Sequence, residues 1–303
     1  SAAGSSAAGS SAAGSSAAGS SAAGSSAAGS GAALPTAPGS VTIGSADFAE
    51  NELLADIYGD AMAAKGVKVT KHTNIGERPI YMAALKSGEI GFVPEYSGSI
   101  LVYLDPKASA KKPADVFAAL QQTAGAAGFV ATKYAQAQDA DTITVTKETV
   151  AKYKLTSIAD LKNVAGQLTL GAPALFKSRK DGLQGLQDTY GVKFGTFTPT
   201  KAGGSVTVNS LKNGAIDAAD IFSTDPSIAA NGFVSLADPK SIFAAQNIVP
   251  LFSKKVLTQP MQNACDAVSA KLDTKTLASL VIKVTGGNAD SVAQEWLKSV
   301  SLG

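Results

Sequence analysis

The chain has 303 residues, the first 30 of which are six copies of Ser-Ala-Ala-Gly-Ser, and no charged residue stands before Asp47. The 26 basic and 24 acidic side chains nearly cancel, so the basic stripe that neutralises nucleic-acid phosphates is missing and a nucleic-acid partner is excluded. One cysteine, Cys265, excludes an internal disulfide, and one histidine, His72, excludes the paired-histidine zinc motif; no metal site or cofactor is expected.

Residues 1–40 are low in complexity, since Gly31–Ser40 only adds proline and glycine to the repeat. Alanine, serine and glycine at short period cannot build a packed core. As a tether, 40 such residues reach about 35 Å r.m.s.. Two readings stay open: an appended linker, or a spacer that holds the folded part off a membrane anchor. The rest of the chain, about 260 residues of ordinary globular composition, is enough for two domains.

Val41–Ser45 is β-branched and predicts a strand. Ala49–Lys65 places Leu53, Leu54, Ile57, Ala61 and Ala64 on one helical face, with Gly66 as a terminator. Val67–Thr73 alternates as a strand does, and Pro79–Ser87 predicts a helix closed by Gly88. Ile90–Val93 predicts a buried strand, Pro113 opens a helix to Thr123, and Phe129–Ala131 and Thr142–Thr146 are further strands. Helices are expected near 260–271, 274–284 and 289–299. Strand–helix alternation of this kind predicts an α/β protein with a largely parallel sheet.

The second half repeats the first. VTIG at 41–44 returns as LTLG at 168–171, and ALKSGEI at 84–90 returns as SLKNGAI at 210–216. From Gly44 to Leu85 is 41 residues, and from Gly171 to Leu211 is 40. Eleven residues beyond each leucine stands an aromatic followed by serine, Tyr96 in one half and Phe222 in the other. Each aromatic comes after a strand, and open α/β sheets bind ligands beyond the carboxyl ends of their strands. Two such units facing each other bring both rings to one cleft, the shape of a two-lobed ligand trap. No nucleophile elbow, phosphate-binding glycine loop or cysteine pair is present, so an enzyme is not expected.

The stretches GSADFAENELLADIY, ALKSGEIGFVPEYSG, LGAPALFKSRKDGL and IFSTDP resemble the quaternary-amine substrate-binding proteins of osmoprotectant ABC importers, the ProX and OpuC type. The likeness runs from Val41 to the C-terminus. It implies the type II periplasmic-binding-protein fold, two α/β lobes joined by two crossover segments. On that plan residues 40–141 with 248–303 form one lobe and 142–247 the other, with hinges near Asp139–Thr142 and Gln246–Ile248. It further implies a monomeric, extracytoplasmic protein at the cell surface or in the periplasm, tethered as a lipoprotein. Such a protein captures glycine betaine, choline or a related quaternary amine and delivers it to an ABC permease.

In that family an aromatic cage holds the ammonium head, while cationic and hydroxyl groups hold the carboxylate. Matching by motif gives Tyr96 and Phe222 as cage rings, Ser99 as a hydroxyl contact and Arg179 as the carboxylate clamp. Two further ring positions fall on Thr142 and Gln246, and a lysine of some relatives falls on Ala46. With Asn247 beside Gln246, the pocket is more polar than the family cage. The alternatives are therefore a different, more polar or larger ligand on the same fold, or a surface sensor or adhesion module.

Overall fold

The structure, a computed structural model, describes residues 32–303; the tether reading of the Ser-Ala-Ala-Gly-Ser repeat lies outside the described residues. The folded unit begins at Leu34, earlier than the composition suggests. Leu34 packs on the core, and the Pro35 carbonyl accepts the Gln259 amide at 2.8 Å.

The described residues form ten strands: β1 Ser40–Ala46, β2 Lys68–Gly76, β3 Phe92–Tyr96, β4 Phe129–Ala131 and β5 Asp141–Val145, then β6 Thr169–Ala172, β7 Thr196–Pro199, β8 Ala218–Phe222, β9 Val234–Ser235 and β10 Ile248–Ser253. They make two five-stranded sheets of the same plan, β2-β1-β3-β10-β4 and β7-β6-β8-β5-β9. In each, the first three strands are parallel and the next is antiparallel to both its neighbours. The sheets are thus mixed where a largely parallel sheet was expected. The reason is the route of the chain. β5 and β10 arrive directly from the other sheet, with no intervening crossover helix to impose a parallel direction.

The sequence repeat has a steric basis. A Cβ on Gly44 would lie 2.5 Å from Ile90 Cδ1, and one on Gly171 would lie 2.6 Å from Ile216 Cδ1. Each strand glycine therefore makes room for the isoleucine that enters the neighbouring strand. Gly88 and Gly214, just before those isoleucines, sit at φ 89° and 79°, where only glycine turns the chain without cost. The turns close in the same way, with Ile90 N donating to Ala84 O and Ile216 N to Ser210 O. The pairing of β3 begins at Phe92, two residues later than expected, so Tyr96 is the last strand residue and not a loop residue.

Helix α1, Ala49–Ala63, is buried along most of its length. It packs between the first sheet and the helices Gln259–Lys271 and Ala289–Ser299, where Tyr58 Oη lies 3.0 Å from Ser269 Oγ. Phe92 centres this core, with its ring 5.9 Å from Tyr58 and 4.9 Å from Phe252. Cys265 and Trp296 fill the same core as apolar groups, while His72 is half exposed beside Glu89. Helix α2 spans Arg78–Ser87, α3 Ser97–Leu104 and α4 Pro113–Ala126. No helix over 97–104 is expected from the sequence. A separate core of Ile143, Leu170, Phe176, Leu186 and Phe243 lies under the second sheet.

Candidate functional site at the junction of the two sheets

The chain passes from the first sheet to the second between Ala131 and Asp141 and returns between Ser235 and Ile248. The two passages lie side by side. Gln138 and Asn247 form an antiparallel bridge, and Asp139 N donates to Gln246 O at 3.2 Å. The carboxyl ends of β3 and β8 meet next to this crossing.

Tyr96 ends β3 and is held from two directions. Its backbone amide donates to Glu95 Oε2 at 3.0 Å. Glu95 is fully buried and accepts a two-pronged contact from Arg78, at 2.9 and 3.1 Å, and the Tyr81 hydroxyl at 2.6 Å. The Tyr96 hydroxyl donates to Glu50 Oε1 at 2.8 Å, and burial pushes that hydroxyl far above its usual titration range. Tyr96 is only 8% exposed, but Phe48 stacks on it with centroids 6.1 Å apart and is 45% exposed. Asn51 fixes the start of α1 in this place. Its Oδ1 accepts Ala46 N at 2.7 Å and its Nδ2 donates to Pro94 O at 3.1 Å, which ties the helix to the ends of β1 and β3.

Helix α3 starts directly after Tyr96, and its first amides are capped from the second passage. Ser97 N donates to Asn247 O at 2.9 Å, and Ser99 N donates to Gln246 Oε1 at 2.9 Å. Gln246 Nε2 donates to Ser99 Oγ at 2.8 Å, Asn247 N donates to Ser97 Oγ at 3.0 Å, and Asn247 Nδ2 donates to Ala135 O at 2.8 Å. Ser99, Gln246 and Asn247 thus form one cluster that satisfies the helix terminus.

In the second sheet Phe222 pairs with Asp141 and remains 40% exposed. Thr142 Oγ1 donates to Ile221 O at 2.7 Å within the same pair of strands. Arg179 Nη2 donates to Asp141 Oδ2 at 2.7 Å, and Nε and Nη2 reach Asp181 at 2.9 and 3.0 Å. Its guanidinium lies 5.4 Å over the Phe176 ring. These two carboxylates hold the Arg179 charge firmly, and the arginine in turn lowers the Asp181 carboxyl below its usual range against the opposing effect of burial.

The seven sequence candidates therefore fall into two groups, Tyr96, Ser99, Gln246 and Asn247 around the end of β3 and the start of α3, and Thr142, Arg179 and Phe222 around β5 and β8. The link between the groups is made by residues not assigned from the sequence. Thr224, two residues past Phe222, lies with Oγ1 2.6 Å from Glu50 Oε2 and 2.8 Å from Asp139 Oδ1. Phe48 and Glu50 are the F and E of the GS-x-x-F-x-E stretch, and Thr224 is the T of IFSTD, so the signal was present without a role. A polar cavity of about 270 Å³ opens beside the crossing, lined by Gln138, Asp141, Thr142 and Ser223, with Lys111 and Asp238 at its sides. Thr142 is the one sequence candidate on its wall.

Residues 39–299 match the family described as the substrate binding domain of ABC-type glycine betaine transport systems. The chain belongs to that family. It is 30% identical over 283 residues to the glycine betaine-binding protein YehZ of Escherichia coli, covering 86% of this chain and 91% of the relative. It is 25% identical to the carnitine transport binding protein OpuCC of Listeria monocytogenes, covering 88% and 90%. Among solved structures, a glycine betaine/carnitine/choline ABC transporter protein superposes with a TM-score of 0.80 at 25% identity, covering 86% of this chain and 99% of that one. Apo YehZ superposes with a TM-score of 0.75 at 28% identity, covering 87% and 99%. The fold is thus the two-sheet α/β fold of periplasmic substrate-binding proteins. Members of this family bind a small molecule outside the cytoplasm and present it to a membrane permease; the family is one of substrate-binding proteins.

Proposed function

We propose that this chain captures a small osmoprotectant, glycine betaine, choline or a related quaternary amine, between two lobes and delivers it to an ABC importer. The lobes are residues 40–141 with 248–303, and 142–247, and they open and close about the paired passages. The observation that carries the reading is that one exposed ring stands on each side of a hydrogen-bonded junction: Phe48, just before α1 and stacked on the buried Tyr96, and Phe222 at the end of β8. A quaternary ammonium group has no proton to donate, so it is held by ring faces within about 6 Å. Solute touching both lobes favours the closed form by its differential affinity. Arg179 meets a ligand carboxylate through Nη1, since its contacts to Asp141 and Asp181 run through Nε and Nη2. Ser99, Gln246 and Asn247 shape the wall behind the rings and keep α3 in place. The chain acts as a monomer, held at the outer face of the membrane by residues 1–40 and a lipid anchor.

A second reading keeps the transport role and changes the solute to a more polar one. It is favoured by the cavity beside the crossing, where Gln138, Thr142, Asp238 and Lys111 offer hydrogen-bonding groups. Titration calorimetry with glycine betaine, choline, carnitine and proline betaine separates the two. Binding heat with at least one of the four supports the first reading; silence with all four, in protein that melts cooperatively, rejects it for the second.

A further inference from the structure

The Thr224 hydroxyl carries one hydrogen, yet its oxygen lies 2.6 Å from a Glu50 oxygen and 2.8 Å from an Asp139 oxygen. It can donate to one of them. The other contact is a hydrogen bond only if that carboxyl group is itself protonated and donates to Thr224 Oγ1. With both groups ionised, two acceptor oxygens would face each other at hydrogen-bond distance inside a buried junction, an arrangement that costs free energy. Glu50 has its second oxygen occupied by the Tyr96 hydroxyl, so it cannot turn away without releasing the ring.

We propose that Glu50 is the positioning residue of this junction: its one carboxyl group holds Tyr96 of the first sheet and Thr224 of the second, and it does so only while a single proton is shared with Asp139. That the positioned ring serves a solute rests on the function proposed above; the shared proton does not. The groups facing the pair come from every element around it. Tyr96 on β3 stays protonated and donates to Glu50. Thr224 comes just after β8, and Asp141, farther along the crossing, adds negative charge that Arg179 offsets. Burial, and then the negative charge of Asp139, raise the Glu50 carboxyl to about 7; burial likewise raises Asp139.

A carboxyl that binds its proton more tightly folded than unfolded contributes stability that is complete below the ordinary carboxylate range. That stability is lost as pH rises through the folded value, here about 7. The neutral isosteres remove the need for a shared proton. In Glu50→Gln the amide oxygen accepts from Tyr96 and the amide nitrogen donates to Thr224, which then donates to an ionised Asp139. Asp139→Asn does the same from the other side.

The test is thermal melting of the full chain without added solute, from pH 5.5 to 8.5, for wild type, Glu50→Gln, Asp139→Asn and Glu50→Ala. Asp220 is also raised, to about 8, by burial and by Asp141; it is present in all four proteins, so the comparison reads the difference between them and not the total slope. The wild-type Tm is expected to fall across this range by at least roughly 3 °C more than that of Glu50→Gln or Asp139→Asn. Glu50→Ala is expected to melt below Glu50→Gln at every pH, because only the glutamine restores both bonds. Curves for wild type and either isostere that run parallel would overturn the shared proton. Glu50→Ala melting like Glu50→Gln would overturn the positioning role. Should Glu50→Gln not fold, Asp139→Asn carries the first comparison alone. No solute enters the measurement, so either failure leaves the transport reading standing.

Discussion

Tyr96 is held through its backbone as well as its ring, and the group responsible is Glu95, a carboxylate with no exposure at all. Such a group is tolerated because Arg78 meets it with two parallel donors while Tyr81 and the Tyr96 amide fill its remaining lone pairs. Removing one partner of a buried pair costs more than the pair contributes, since the other charge stays behind without compensation. Arg78→Ala is therefore expected to lower stability by about 3 kcal/mol, measured by urea unfolding, whereas Arg78→Lys recovers only part because one ammonium cannot reproduce the fork. Legibility differs residue by residue at this scale. Leu53, Leu54, Ile57 and Ala61 could be placed in the core from their helical spacing alone. The partners of Ser99 and Glu50 could not. Ser99 is capped by a residue 147 positions away and Glu50 is bridged by one 174 positions away, and no local periodicity carries such pairings.

At the scale of strands and turns, the repeated LKxGxI segments were legible because a steric rule spaces them. Each isoleucine tip occupies the place of a missing Cβ on the strand glycine of the same half. That rule is testable on the second sheet, at Gly171 and Ile216. Gly171→Ala alone is expected to cost about 1–3 kcal/mol through overpacking against Ile216. Ile216→Val removes the Cδ1 methyl, and alone costs about 0.5–1.5 kcal/mol. In the double variant the costs should fall well short of additive, because the deleted methyl vacates the space the new one takes; additive costs in denaturant unfolding would show that the contact is not what spaces the motif. Strand direction was the part that could not be read. β5 and β10 have the composition of any buried strand, and their antiparallel direction comes from the route by which the chain enters each sheet. Helix α3 escaped for a related reason, since its terminus is satisfied from outside its own sequence.

For the molecule as a whole, two sheets of identical strand order meet where their equivalent strands β3 and β8 end. The repeat places Tyr96 and Phe222 at corresponding positions, one ending each strand. The departures from symmetry lie in chemistry, not topology. One side buries its ring against Phe48 and Glu50; the other leaves its ring exposed and places Thr224 and the Arg179 ion pairs nearby. The central claim is that a single solute is gripped by rings from both sheets at once. Calorimetric titration of wild type, Tyr96→Ala and Phe222→Ala with whichever of glycine betaine and choline binds more tightly tests it most directly. Each substitution is expected to weaken binding at least tenfold, about 1.4 kcal/mol. Wild-type affinity in either variant would contradict a grip shared between the two sheets.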